Sequence, residues 1–183
     1  MAKGKIIEVW GDATKPQVDT ATEKVYIPHV CNDIKAWGAG FVLALSKLSG
    51  FPEYMYQRTF MRFKLDSYLG ITSFAPIPDT HITVCNMIAQ HNTKTINNLR
   101  PLNYQALAIC MEAVAKEIED VEKCYSRPYR IHCPKFGGDL AGGCWDFILH
   151  LIEDIWLSKG IDVVVYEWTN DESKWGSTGK YPL

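Results

Sequence analysis

The chain has 183 residues, 19 of them basic and 21 acidic, and is 47% hydrophobic and 22% charged. That length suits one compact domain spanning residues 1–183, and the apolar share excludes a disordered or low-complexity protein, which could not bury enough surface to offset chain entropy. A net charge of −2 lacks the cationic field that non-specific binding to nucleic acid or an anionic membrane requires, so neither partner is expected.

Residues 5–10 (Lys-Ile-Ile-Glu-Val-Trp) read as a strand stopped by Gly11-Asp12. A second strand over 24–31 carries Pro28, which predicts irregularity near its end. After Gly38-Ala39-Gly40, Phe41, Leu45 and Leu48 recur at helical spacing until Gly50, and Pro52 opens another helix to about residue 63. Residues 70–75 and 81–89 read as strands parted by the turn around Pro76 and Pro78, and the polar stretch 90–100 as a loop. Pro101 then opens the longest helix, with Leu107, Met111, Val114, Ile118 and Val121 as its apolar stripe. A strand over 129–133, a helix over 144–158 and a strand over 161–168 follow, and the polar tail from Thr169 reads as irregular. Six strands alternating with four helices predict an α/β fold, a sheet covered by helices on both faces.

No apolar run approaches the ~18 residues that span a bilayer. The basic start, Met1 to Lys5, has no signal-type apolar run behind it, since Glu8, Gly11 and Asp12 interrupt. A cytoplasmic protein is expected. The six cysteines (31, 85, 110, 124, 133 and 144) form no CxxC pair, and the five histidines show no HExxH or paired ligand spacing. Reduced, mostly buried thiols are expected, with no metal and no cofactor.

Ligands of such sheets gather outside the carboxyl ends of the strands. That rule selects residues 11–14, 29–41 and 133–145. Two of these hold strand–loop–helix segments rich in glycine, 32–41 and 134–143. Glycines let the backbone approach a ligand, and a helix start offers free N–H groups to an anion. Either segment alone reads as an ordinary turn; as a pair at the strand ends of one sheet they can clasp a diphosphate. Neither matches GxxxxGK[ST] or a complete GxGxxG.

Three segments together resemble the macro domain family over nearly the whole chain: Gly11-Asp12-Ala13-Thr14; Ile27-Pro28-His29-Val30-Cys31-Asn32 with Trp37-Gly38-Ala39-Gly40-Phe41; and Phe136-Gly137-Gly138-Asp139-Leu140-Ala141-Gly142-Gly143-Cys144-Trp145. The His-x-Cys-Asn form is similar to the branches that hydrolyse ADP-ribose 1″-phosphate or remove ADP-ribose from protein carboxylates. The resemblance implies a three-layer α/β/α fold with a mixed sheet of about six strands, and ADP-ribose or ADP-ribose 1″-phosphate as ligand.

The resemblance also implies roles. Asp12, between Gly11 and Ala13, falls where the family accepts a hydrogen bond from the adenine amine; alternatively it caps a turn. Asn32 falls at the distal ribose, or is a turn former. Gly38, Ala39, Gly40 and Phe41, beside Trp37, supply N–H groups to one phosphate. Gly137, Gly138, Leu140, Ala141 and Gly142 supply them to the other. Phe136 covers the distal ribose or packs in the core. His29 is the candidate for chemistry, since an imidazole titrates near neutrality, with a hydrogen-bonded strand-end histidine as the alternative. Asp139 stands where the family usually has glycine; it faces outward or serves as a general acid or base. Gln90 and Ala141 stand where the carboxylate-ester branch carries its lysine and aspartate, and an amide cannot form the covalent sugar adduct. The expected function is phosphate release from ADP-ribose 1″-phosphate, catalysed by His29 with Asn32 and Asp139. The alternatives are a non-catalytic ADP-ribose reader and a hydrolase that removes ADP-ribose from macromolecules.

Overall fold

Alternating burial along the strands sets the architecture. On β2 (Lys24–Asn32), Val25 and Ile27 face one way and Tyr26 the other, and all three are fully buried. A strand buried on both faces needs a layer on each side. The computed structural model supplies both layers; it describes residues 3–18, 23–62, 64–122, 129–176 and 178–182. Helices α1 (Val42–Leu48) and α2 (Phe51–Arg62) cover one face. There Leu45 packs with Val25, Ile27, Ala75 and Val84. Helices α3 (Tyr104–Glu122) and α4 (Trp145–Ile155) cover the other, where Leu107, Met111, Val114, Ile148 and Ile152 meet Tyr26, Met87, Ile131 and Val163.

The remaining strands are β1 (Ile6–Trp10), β3 (Ile71–Pro76), β4 (Ile82–Gln90), β5 (Tyr129–Pro134), β6 (Asp162–Glu167) and β7 (Thr178–Pro182). The sheet order is β3-β4-β2-β5-β6-β1-β7. The five inner strands are mutually parallel, and β3 and β7 flank them antiparallel. The mixed α/β/α architecture is therefore the expected one, with a seventh strand added at the edge.

Three expectations need correction. The tail does not stay irregular: residues 178–182 pair with β1. The longest helix starts at Tyr104 rather than Pro101. Leu102 is still bridged to Gln90, and the side chain of Asn103 accepts the Ala106 N–H, capping the helix. The last helix ends at Ile155, and a short 3₁₀ turn, Leu157–Lys159, completes the connection.

Pro28 has a larger consequence than local irregularity. Pairing of β2 with β5 is confined to Lys24–Tyr26, whereas pairing with β4 continues through Asn32, with a register shift after Cys31. A proline offers no N–H to a neighbouring strand. Beyond Tyr26, β2 and β5 are unpaired, and a cleft opens between their carboxyl ends. Cys31, Cys85, Cys110 and Cys133 are buried free thiols and Cys144 is exposed; Cys124 lies outside the described residues.

Candidate functional site

The five parallel strands all end on the same side, and the segments that leave them line one cleft of about 1250 Å³. Residues 11–13 follow β1, Glu167 and Trp168 stand at the end of β6, residues 135–141 follow β5, Asn32 ends β2 and residues 36–42 come after it, and Gln90 ends β4 with Thr93 and Lys94 beyond. From β1 to β4 there are four strand intervals, about 19 Å at ~4.8 Å each. The cleft is a trench long enough for an extended dinucleotide-sized molecule, with Asp12 at one end and Gln90 at the other.

At the β1 end, Asp12 Oδ1 accepts from the Thr14 amide (2.8 Å) and the Thr14 hydroxyl (2.7 Å). One oxygen thus caps the turn, and Oδ2 has no hydrogen-bond partner among the described residues. Both roles expected for Asp12 fit one carboxylate. Beside it stand Tyr166, whose hydroxyl burial pushes up to about 12, and Trp168, 61% exposed.

The first glycine loop is organised by Asn32. Its Oδ1 accepts from the amides of Ile34 and Ala36 and from the Tyr56 hydroxyl, and its Nδ2 donates to the Ala36 carbonyl at 2.7 Å. The acceptor of Asn32 is consumed inside the loop, and one Nδ2 hydrogen has no acceptor among the described residues. Gly38, Ala39, Gly40 and Phe41 follow, and their amides find no acceptor among the described residues. Trp37 braces this loop from behind, donating to Ser46 and packing on Tyr56.

The second loop divides differently from expectation. The amides of Ala141 and Gly142 both donate to the Gly138 carbonyl, so these two residues hold the turn. A Cβ on Gly142 would stand 2.3 Å from the Leu99 carbonyl oxygen. Gly142 is therefore a packing position, outside the cleft lining. The amides that remain are those of Gly137, Gly138, Asp139 and Leu140. Phe136 is 4% exposed and packs against Trp145 and Trp156, with only its margin on the cleft. The core half of its two readings dominates.

Asp139 has φ +26°, a left-handed conformation that a side chain disfavours. This is the physical reason a glycine suits that position, and aspartate is among the residues that tolerate it. The Asp139 side chain is exposed, and its carbonyl accepts from Lys94 Nζ at 2.8 Å.

His29 lies on the cleft wall but is 2% exposed. Its Nε2 is 2.7 Å from Asn86 Oδ1. Asn86 Nδ2 donates to the Pro52 carbonyl and the Ser73 hydroxyl. That network assigns the His29 proton to Nε2 and leaves the lone pair on Nδ1. Burial holds the imidazole down at about 4, against the smaller opposing effects of Asn86 and the Val30 backbone. His29 is thus a neutral ring wedged between Trp37 and Phe41.

Lys47, Thr93, Lys94 and Trp168 also line the cleft and lie outside the segments selected from the sequence; Lys135 lies within the second of the two loops but was given no role. The carboxyl-end rule, applied to β4, would have found Thr93 and Lys94. Among the described residues no group of three or more His, Cys, Asp or Glu side chains could hold a metal, and no helix is long and apolar enough to cross a membrane.

No protein-family model matches the sequence, and no curated protein does. Solved structures do. The chain is 34% identical to a Bacteroides thetaiotaomicron protein of unknown function (89% of this chain, 98% of that one, TM-score 0.77). It is 35% identical to a macrodomain protein from Streptomyces coelicolor (89% and 99%, TM-score 0.72). The Thermosipho africanus DarTG structure in complex with ADP-ribose shares the fold at 12% identity (80% and 38%, TM-score 0.57).

Proposed function

Because this chain belongs to the macrodomain family, we propose that it binds ADP-ribose along the trench and releases the phosphate of ADP-ribose 1″-phosphate. The observation that supports the reading is the order of groups across the sheet. An unpaired carboxylate oxygen at the β1 end suits the adenine amine. Two sets of free amides face each other where β2 and β5 part, and suit a diphosphate. Asn32 and Gln90 at the β2–β4 end are left for the distal ribose. A structure of the same fold, DarTG from Thermosipho africanus, is a complex with ADP-ribose.

Turnover would be hydrolysis of a phosphate monoester: water attacks phosphorus, the bond from phosphorus to the C1″ oxygen breaks, and ADP-ribose and inorganic phosphate leave. His29 is the imidazole on the cleft wall suited to orient that water through Nδ1, which also lies 3.8 Å from the Cys31 thiol. A second reading, an ADP-ribose reader without turnover, is favoured by the same residue: a ring held neutral down to about pH 4 is a weak proton acceptor. Gln90, whose amide donates to the Asn92 carbonyl, cannot form a covalent sugar adduct. Calorimetric titration with ADP-ribose followed by a phosphate-release assay tests both readings. Binding with release supports the phosphatase, binding without release the reader, and absence of binding removes both.

A further inference from the structure

Residues 91–100 form a braced strap across the β4 end of the trench. Asp33 ties it to the first glycine loop: Oδ2 meets His91 Nδ1 at 2.7 Å, and Oδ1 accepts the Asn92 amide at 2.9 Å. Asn98 bonds the carbonyls of His91 and Thr93, and Thr95 and Asn98 exchange backbone bonds. The far side is tied to the second loop by the Leu102 amide, which donates to the Ala141 carbonyl. Lys94 is therefore presented on a fixed support.

Its charge, like that of Lys47, has no carboxylate partner among the described residues, and of the two only Lys94 is held in place by a hydrogen bond. Lys135 is already neutralised, 3.1 Å from Glu167 and 3.8 Å from the buried Glu8. Lys47 stands on α1, beside the first glycine loop. Lys94 Nζ bonds a carbonyl oxygen, that of Asp139, and has no carboxylate partner among the described residues. One of its three N–H groups is used, and the ammonium is left uncompensated at the end of the trench opposite Asp12.

Resting on the reading of the trench as an ADP-ribose site, we propose that Lys94 is the specificity residue that recognises a phosphate carried on C1″ of the distal ribose. An ammonium held by one hydrogen bond keeps two donors for a dianionic group, and the carbonyl bond fixes its position before the ligand arrives. Thr93 lines the same end beside Lys94, so a small anionic substituent there meets a hydroxyl as well as the ammonium.

The test is titration of wild type, Lys94→Gln and Lys94→Arg with two probes: ADP-ribose, and its 1″-methylenephosphonate analogue, which has no scissile P–O bond. Wild type is expected to bind the phosphonate about tenfold tighter than ADP-ribose, a preference that shrinks in high salt. Lys94→Gln should erase the preference, its affinity for the phosphonate falling about tenfold more than its affinity for ADP-ribose, and Lys94→Arg should restore part of it. Equal wild-type affinity for the two probes, or a loss in Lys94→Gln that is the same for both, overturns the role of Lys94 while the ADP-ribose reading stands. A wild type that binds neither probe overturns that reading and this proposal together.

Discussion

Leu140 lies against Gly40 across the mouth of the cleft: a Cβ on Gly40 would stand 3.1 Å from Leu140 Cδ1. The two glycine loops thus meet over the gap between β2 and β5, and Gly40 has φ +75°, the left-handed conformation that glycine adopts without penalty. Gly40→Glu is expected to abolish ADP-ribose binding, because a carboxylate would enter the space between the loops and repel a diphosphate. Strain of about 1–2 kcal/mol accompanies the change at an exposed position, so the protein should still fold. Circular dichroism with calorimetry checks this; a folded Gly40→Glu protein with wild-type affinity would contradict the loop assignment.

Asp12 supports two separable measurements. Asp12→Ala should weaken ADP-ribose binding by about 1–3 kcal/mol, since both the turn cap and the free oxygen are lost. Asp12→Asn can keep the cap through its amide oxygen while presenting an NH₂ group to the cleft. It should therefore retain the melting temperature and still lose adenine recognition. Unchanged Kd in both variants would remove Asp12 from the site.

His29→Ala should do more than remove a catalytic group. It leaves Asn86 Oδ1 buried without its donor and opens space between Trp37 and Phe41. A loss of about 2–4 kcal/mol in stability is expected. If His29 orients the attacking water, phosphate release falls at least about 100-fold at a temperature where the variant is folded, with ADP-ribose affinity largely kept. Release at the wild-type rate would restrict His29 to packing.

Acidification should destabilise the fold between pH 6.5 and about 4. Burial holds both His29 and His132 at about 4 in the native state. In the unfolded chain each titrates near 6.5 and so takes up protons first. The unfolded state binds more protons throughout that window, and stability therefore falls as pH falls, by up to about 1.4 kcal/mol per pH unit for each histidine. Urea titrations at pH 7, 6, 5 and 4.5 measure the slope. A flat profile would mean that neither ring is held neutral.

Asp139→Gly relieves a left-handed backbone and removes a carboxylate from beside the second loop. The variant should be more stable by up to about 1 kcal/mol and should bind ADP-ribose at least as tightly as wild type. Phosphate release should be unchanged if the side chain only faces outward. Loss of release with intact binding would instead assign Asp139 the acid–base role.

Local signals in the sequence were sufficient for six of the seven strands, the apolar stripes and the two glycine loops, because those depend on periodicity and on residues with special backbone conformations; β7 forms only by pairing with β1. Val25 and Ile27 against Tyr26 show it for the sheet, and Gly40 for the loops. The tertiary structure alone decided which groups are free to act. Asn32 is a turn former in sequence, and only folding brings the Tyr56 hydroxyl, 24 residues away, onto its backbone carbonyl at 2.7 Å and its Oδ1 at 2.9 Å. His29 has an ordinary imidazole pKa until folding buries it beside Trp37 and Phe41. Lys94 meets Asp139 only because β4 and β5 end on the same side of one sheet. Periodicity is a short-range property of the chain, whereas desolvation and hydrogen-bond partnership belong to neighbours that folding brings together.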